Sequence, residues 1–318
     1  MQIVVFTPNQ IIQRRLSDTL GASLRIANDE AGVFKALPAA DGLIMAVQDY
    51  SDQIGRAVLQ AGRLKWVQLL SAGFDRVQKH GVPQGVIVTN AGDALTPSVA
   101  THAVSLALAV QRGFPAMAQA QARGEWARDM QPRMTTPAEA TCLIVGFGSI
   151  GKEVARLMRA FGAHIVGVSR SGKTDPLASP LADEIITPAQ LPDYLPRADT
   201  IVLAVPLDDS TRGLIGRQEL SLCKKSAVIV NIARGGVIDT DALADALEAG
   251  TIGGAGLDVT DPEPLTPGHR LWKAPNLLIS PHVAAACGPL LYKRIADVAC
   301  ANAGRFMRGE ALQNVVIS

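Results

Sequence analysis

Short apolar runs alternate along the chain with stretches whose apolar residues recur at helical spacing. In the first third, Ile3–Phe6, Gly42–Val47, Lys65–Leu70 and Val86–Thr89 predict strands, and Pro8–Leu20 and Asp52–Ala61 predict helices between them. Thr96–Gln111 is one long apolar stretch at helical spacing. A second series opens at Thr141. Its strands are expected at Thr141–Val145, His164–Val168, Thr200–Val205, Ala227–Ile232, Gly256–Val259 and Leu277–Ser280, and a helical stretch, Pro289–Arg308, comes after them. Alternating strand and helix predicts parallel sheets with right-handed crossovers. The segment joining the two series holds Gly113-Phe114-Pro115, Arg123-Gly124-Glu125-Trp126 and a polar, proline-containing connector ending at Pro137. A domain crossing near residue 97 and a surface arm near 112–140 are expected from it. No short-period repeat and no low-complexity segment interrupts the pattern.

Composition narrows the class. At about 150 residues per domain, 318 residues make about two domains, each able to bury a core. Thirty basic against 29 acidic residues leave a net charge of +1, which gives no electrostatic footprint for nucleic acid or an anionic membrane. Hydrophobic residues at 48% and charged residues at 19% describe a globular chain, and aromatics at 4% argue against a stacking platform for single strands. The best apolar run, Ala103–Val110, falls short of the ~18 residues a membrane span needs. The N-terminal residues Met1–Phe6 read as a first strand rather than a signal peptide. Cys142, Cys223, Cys287 and Cys300 form no CxxC pair. They are expected to be reduced packing residues in a cytoplasmic protein, with no metal site.

The sharpest local signal comes directly after the strand ending at Val145. Gly146-Phe147-Gly148-Ser149-Ile150-Gly151 leads into a helical face of Val154, Leu157, Met158 and Phe161. A G-x-G-x-x-G between a buried strand and a helix is the dinucleotide fingerprint. The first glycine permits the turn, the second lets a pyrophosphate approach the backbone, and the third lets helix and strand pack closely. The competing reading is a plain glycine-rich turn. The next strand, His164–Val168, ends in Ser169-Arg170-Ser171-Gly172-Lys173. An NAD site usually places an acid there for the ribose 2′-hydroxyl, and none stands before Asp175. Hydroxyls and cations suit a 2′-phosphate instead. NADP(H) is therefore the expected cofactor, with NAD(H) as the alternative.

Three polar residues come after successive strands of the second series: Arg234, Glu263 and His282. Ligands of open α/β sheets lie outside the carboxyl ends of the strands. Reducing a 2-oxo acid needs a hydride on carbon and a proton on oxygen. A histidine titrates near neutrality and can supply the proton. A carboxylate beside its ring fixes the tautomer, and an arginine can hold a substrate carboxylate and polarise a carbonyl. Taken singly, each has a structural reading: a core histidine, an exposed loop acid between two prolines, an arginine serving its turn.

Asn231-Ile232-Ala233-Arg234-Gly235-Gly236-Val237-Ile238-Asp239, Gly254–Val259, Asp261-Pro262-Glu263-Pro264-Leu265 and Asn276–His282 resemble signatures of the D-isomer-specific 2-hydroxyacid dehydrogenases. Val205-Pro206-Leu207 and Thr211–Ile215 match as well, and the likeness is densest from Thr141 to Ala286. The resemblance implies two doubly wound parallel-sheet domains: a Rossmann cofactor domain, 98–283, inserted into a flavodoxin-like substrate domain, 1–97 completed by 284–318. It implies Arg234 as substrate-binding residue, His282 as acid and base, and Glu263 as its partner. Ser71, Ala72 and Gly73 resemble the loop whose amides hold the substrate carboxylate, for which an ordinary strand-to-helix turn is the alternative. Thr96, Val205, Pro206, Thr211, Ile232, Ala233, Arg234, Asp258, His282 and Ala284 would line the cofactor beside the phosphate loop and Ser169, Arg170 and Ser171, with Asp258 orienting the carboxamide. A homodimer is implied, with Arg112–Thr136 as the arm that crosses to the partner.

The chain departs from the family where Thr101 replaces the glutamate usual before His102, and where Ala138-Glu139-Ala140 replaces the usual Gly-Lys. The implied reaction is NADPH-dependent reduction of a small 2-oxo acid, glyoxylate or hydroxypyruvate first. Hydroxyphenylpyruvate stays open, since Phe74 and Trp272 could line a larger pocket. Formate dehydrogenases carry Gln in place of Glu263, and the absence of a regulatory domain after Ser318 argues against phosphoglycerate dehydrogenase. A nucleotide-sensing corepressor of the same fold, binding cofactor without turnover, is the alternative outside catalysis.

Overall fold

Strands that are apolar on both sides must be covered on both sides, and two largely parallel sheets flanked by helices meet that requirement here. The computed structural model describes residues 1–129, 134–170, 172 and 180–318. It divides into two units, Met1–Thr96 with Ala286–Ser318, and Pro97–Ala285. The first unit holds β1 (Ile3–Phe6), β2 (Leu24–Ala27), β3 (Gly42–Met45), β4 (Trp66–Leu69) and β5 (Ile87–Thr89). The second holds β6 (Thr141–Val145), β7 (His164–Val168), β8 (Glu184–Ile186), β9 (Thr200–Leu203), β10 (Val228–Asn231), β11 (Gly254–Leu257) and β12 (Leu277–Ile279). The last strand, β13 (Val315–Ile317), belongs to the first unit.

The first sheet has the order β13-β5-β4-β3-β1-β2. All its pairs are parallel except β13 on β5. Without β13 this is the flavodoxin-like order. β1, β3 and β4 sit in the middle and are almost wholly buried. Asn9 caps the Gln10–Leu20 helix by accepting from the amides of Ile11 and Ile12. That helix lies along the Pro289–Arg308 helix and is tied to it by Arg15 and Asp297. A buried polar network fastens the C-terminal helix to the sheet. The Asn302 amide donates to Gln68 Oε1 and to the Gln313 carbonyl, each at 2.9 Å, and Asn302 Oδ1 accepts from the Gln313 amide. Thr89 donates to the same Gln68 oxygen at 2.8 Å and accepts from the Trp66 indole.

The second sheet has the order β12-β11-β10-β9-β6-β7-β8, parallel throughout. Chain order reverses between β6 and β9, the point where a doubly wound sheet opens a crevice at its carboxyl edge. The Thr96–Gln111 helix packs on this sheet through Leu106 and Val110, and its Val99 and Ala103 are also buried. It comes so close that a Cβ at Gly256 would lie 2.8 Å from Leu106 Cβ, and one at Gly254 would lie 2.5 Å from Val110. The Gly254-Ala255-Gly256 run of β11 is thus the groove for this helix. The apolar helical stretch, Gly92–Gln111, is longer than the short run read from sequence: its 20 residues satisfy membrane-span length and hydropathy, with half of the window buried inside the protein.

The sequence pattern missed β2, β8 and β13. Each is an edge strand of three or four residues, and β2 exposes the successive residues Arg25 and Ile26, which lie on opposite faces. Arg112–Thr136 leaves and returns at one place, since the Thr135 amide donates to Gln111 O at 3.0 Å. It includes a helix, Phe114–Ala122, and a Trp126 that is 91% exposed, while residues 130–133 lie outside the described chain. All four cysteines are free. Burial pushes the Cys142 thiol up to about 12 and the Cys223 thiol up to about 11, which suits packing rather than reactivity.

Replacing Asn302 with Ala strands the amide and carbonyl of Gln313. A loss of about 2–3 kcal/mol of stability is expected in chemical denaturation. A loss below about 0.5 kcal/mol would show that the network does not hold the C-terminal helix in place.

Candidate active site

The turn after β6 is built by close approaches. Gly146 has φ 101°, and its amide and that of Phe147 both donate to Val168 O at the end of β7, at 3.2 and 3.1 Å. A Cβ at Gly146 would lie 2.5 Å from the Ala204 carbonyl beyond β9, so this turn sits at the reversal point of the sheet. The Phe147 ring covers Gly167 of β7. At Gly151 a Cβ would lie 2.1 Å from Gly146 O, which fixes how tightly the Ser149–Ala160 helix meets its strand. Gly148 differs: a Cβ there would meet nothing within 4 Å. No side chain caps the helix that Gly148 begins. The first amides, of Ser149, Ile150 and Gly151, have no intrahelical acceptor. Open space before unspent amides at the positive end of a helix fits the pyrophosphate of a dinucleotide.

Beyond β7 the Ser169 amide donates to Ile186 O, and Gly172 turns back onto Ser169 O. Arg170 is exposed and makes no ion pair among the described residues. Ser171 and Lys173 lie outside the described residues. Beyond β9, Val205 abuts Gly146, and the Thr211 hydroxyl ties its own turn by donating to Pro206 O at 2.7 Å. Asp208 braces the same turn by accepting from Ser210 and Thr211.

The three polar residues stand beyond three neighbouring strands. Arg234 comes after β10 in extended backbone. Its position is set by Asn231, which donates to Arg234 O at 2.9 Å and accepts from the Ala233 amide at 3.0 Å. Ile232 and Ala233 are buried beneath it. Gly235 then packs so close that a Cβ would lie 2.0 Å from the Thr260 carbonyl group, which locks the β10 loop against the β11 loop. Glu263 comes after β11, and its carboxylate Oε1 lies 2.6 Å from His282 Nδ1. Both side chains are about half exposed, 43% and 49%. The short Nδ1 contact assigns that ring proton to the Glu263 side and leaves Nε2 to face a ligand.

His282 has φ 54°, a left-handed conformation that costs a non-glycine residue about 1–2 kcal/mol. Asp258, only 2% exposed, holds it there. The Asp258 carbonyl accepts from the His282 amide at 2.8 Å. One carboxylate oxygen accepts from Ser280 Oγ at 2.6 Å and from the Val283 amide at 2.9 Å, and the other from the Ala284 amide at 2.9 Å. Asp258, expected to face the carboxamide, thus spends most of its capacity on the turn that carries His282. Sequence reasoning missed two residues in this cluster, Ser280 and His102, whose Nε2 lies 2.8 Å from Ser280 Oγ. The available signal was a histidine interrupting an otherwise apolar helix. Thr101, at the departure from the family pattern, is exposed, and its hydroxyl donates back to Pro97 O.

Ser71, Ala72, Gly73 and Thr96 belong to the first unit. The carbonyls of the loop are all taken: Ser71 O accepts from the Ala91 amide, Ala72 O from Asn90 Nδ2 at 2.7 Å, and Gly73 O from Ser71 Oγ. Among the described residues the amides of Ser71, Ala72 and Gly73 meet no acceptor, and donors are the polarity a carboxylate requires. Trp272 lines a groove with Glu248, Leu265 and Arg270, and none of Arg234, Glu263 or His282 shares that groove.

A family model described as the NAD binding domain of D-isomer specific 2-hydroxyacid dehydrogenases matches residues 104–284. The chain is 37% identical over 264 residues to a glyoxylate reductase of Aeropyrum pernix, covering 81% of this chain and 77% of that one. It is 34% identical over 264 residues to a glycerate dehydrogenase of Methylorubrum extorquens, covering 80% and 79%. Among solved structures, a D-isomer specific 2-hydroxyacid dehydrogenase from Xanthobacter autotrophicus, in complex with NADPH and MES, superposes with a TM-score of 0.85 at 26% identity, covering 99% of this chain and 98% of that one.

The contrast between Gly148 and Gly151 is testable. Gly148→Ala is expected to leave the melting temperature within about 2 °C and to weaken dinucleotide binding about tenfold or more, because its methyl enters ligand space. Gly151→Ala is expected to destabilise the protein as well, because the methyl has no room. Equal effects of the two on stability, with unchanged binding in a fluorescence titration, would refute the assignment of the phosphate site.

Proposed function

The chain belongs to the D-isomer-specific 2-hydroxyacid dehydrogenase family, and on that premise we propose that it reduces glyoxylate and hydroxypyruvate with NADPH. It is an oxidoreductase that moves a hydride between a 2-hydroxy acid and the corresponding 2-oxo acid, using a nicotinamide cofactor. The observation that carries the site assignment is the His282–Glu263 pair at 2.6 Å, beyond strands of the same sheet edge as the phosphate loop.

When bound, the reduced nicotinamide supplies the hydride that adds to the carbonyl carbon of the 2-oxo acid. His282 gives the proton from Nε2 to the carbonyl oxygen. Glu263 accepts at Nδ1, keeps the ring oriented and balances its charge while it is protonated. Arg234 pairs with the substrate carboxylate and draws charge toward the carbonyl oxygen. The amides of the Ser71–Gly73 loop bind a carboxylate. Gly146 to Gly151 hold the pyrophosphate. Val205, Pro206, Thr211, Ile232, Ala233, Asp258 and Ala284 shape the rest of the cofactor site, and Thr96 contacts it.

Preference for NADPH is supported by the residues just beyond β7. No acid stands where a ribose 2′-hydroxyl would be read, and Arg170 is exposed without an ion-pair partner among the described residues. The relatives support small substrates, since oxidation of glycerate at its 2-hydroxyl gives hydroxypyruvate. Trp272 lends no support to arylpyruvates, because it lines a different groove. The exposed Trp126 and Phe114 on the 112–135 excursion support a homodimer made by that arm. Four free thiols fit the cytoplasm.

The direct test monitors NADPH or NADH absorbance with glyoxylate, hydroxypyruvate, pyruvate and hydroxyphenylpyruvate. A kcat/KM at least about tenfold higher with NADPH is expected, falling about tenfold or more in Arg170→Ala as a charge-assisted phosphate bond is lost. Preference for NADH would overturn the cofactor reading and leave the activity. His282→Ala is expected to cut kcat about a hundred- to ten-thousandfold with cofactor affinity kept. Arg234→Ala is expected to raise KM and lower kcat together. Near-normal turnover in His282→Ala would refute the acid–base assignment.

A further inference from the structure

We propose that His102 is a positioning residue for the reaction: through Ser280 and Asp258 it holds the left-handed turn that aims the His282 ring. The inference rests on His282 being the acid and base.

The link is a directed chain of hydrogen bonds. Ser280 Oγ stands 2.6 Å from Asp258 Oδ1 and 2.8 Å from His102 Nε2. A serine hydroxyl has one proton. A carboxylate can only accept it, so the hydroxyl oxygen accepts in turn from His102, whose Nε2 carries hydrogen. His102 Nε2 also lies 3.4 Å from Asp258 Oδ1 itself. Asp258 passes the constraint to Val283 and Ala284 through its two oxygens, and to the His282 amide through its carbonyl. The residues on both sides of His282, from position 280 to 284, are therefore held by one cluster that ends at His102.

This cluster does what the Glu263 contact cannot. One hydrogen bond between two half-exposed side chains restrains the ring at Nδ1 but lets it pivot. The direction of Nε2 is set by where the backbone puts Cα and Cβ, and that backbone is in a conformation it would leave if released. The far end of the chain is rigid. His102 sits on the Thr96–Gln111 helix, which is wedged against Gly254 and Gly256 of the same sheet. The cluster thus ties the acid–base turn to a helix packed closely on the sheet, and the separation of 178 positions between His102 and Ser280 hides the connection from sequence.

The test compares His102→Leu, His102→Gln, Ser280→Ala and His282→Ala, with the best 2-oxo acid from the substrate panel. His102→Leu and Ser280→Ala are each expected to lower kcat about ten- to hundredfold, because a displacement of about 1 Å costs that much. The KM for the 2-oxo acid and the affinity for cofactor should stay within about threefold of wild type, since no binding group is removed. His102→Gln should recover most of the rate, because its amide can donate from the place of Nε2. The chain has five histidines, so ring resonances of isotope-labelled protein give a readout independent of turnover. The His282 resonance, identified by its loss in His282→Ala, should move in His102→Leu and return in His102→Gln. Turnover within about twofold of wild type in both His102→Leu and Ser280→Ala, with that resonance unmoved, would overturn the proposal. So would a His102→Gln variant as slow and as displaced as His102→Leu. If His102→Leu does not fold, Ser280→Ala, which removes one hydroxyl, carries the same test. Full turnover in His282→Ala would instead sink the acid–base reading, and an inactive His282→Ala beside normal His102→Leu and Ser280→Ala would sink this inference alone.

Discussion

Asp258 carries a carboxylate into the interior, and a buried charge left without partners costs several kcal/mol. The donors that offset this cost are the Ser280 hydroxyl and the amides of Val283 and Ala284, with the His102 ring alongside. To bring two successive amides onto one carboxylate the chain must curl tightly after β12, and the curl passes through the positive φ of His282. The strained residue and the satisfied charge are thus one arrangement seen from two sides. Removing the carboxylate would release the strain, and relaxing the turn would leave the charge short of donors. Each therefore holds the other, which is how a structure retains a conformation that its own backbone disfavours.

The other residues proposed for the chemistry share this sheet edge because of strand order. Reversal between β6 and β9 puts the phosphate loop at the crevice, and the order β10-β11-β12 lines up the loops of Arg234, Glu263 and His282 side by side. Backbone contact, more than side-chain bonding, sets the spacing. Gly146 rests against the Ala204 carbonyl, Gly151 against Gly146 O and Gly235 against Thr260, each closer than any Cβ would allow. A Cβ at Gly148, in the same loop, would meet nothing within 4 Å, and the proposed pyrophosphate site uses that space.

Much of this was legible in the sequence, for identifiable reasons. β1, β6 and β7 begin and end where their apolar runs do, since central strands of parallel sheets must be apolar throughout. β2, β8 and β13 were invisible because an edge strand of three or four residues needs no such run. The tight turn at Gly146–Gly151 was legible because Gly146 and Gly151 answer to local geometry. Arg234, Glu263 and His282 were ambiguous singly and became readable only together, on the strength of the family resemblance. The bond between His102 and Ser280 was not legible: it joins residues 178 positions apart, and a histidine in a largely apolar helix does not say which partner it meets. The length of the Gly92–Gln111 apolar stretch also misleads, because a helix sunk in a glycine groove satisfies the same hydropathy as one crossing a bilayer.

Two carboxylates flank His282, and their surroundings divide the work. Glu263 is half exposed and touches the ring at one atom, so water can reorganise around the pair as a proton leaves or joins the imidazole. Asp258 is sealed among donors drawn from the turn and the long helix, and it acts on the backbone rather than the ring. Exchanging these environments would fail on both counts. A buried Glu263 would have to be desolvated with its histidine at each turnover. An exposed Asp258 would lose to water the amides that hold the turn. In the proposed reaction one acid would serve the proton and the other its direction: Glu263 meets the ring of His282, and Asp258 meets the backbone around it.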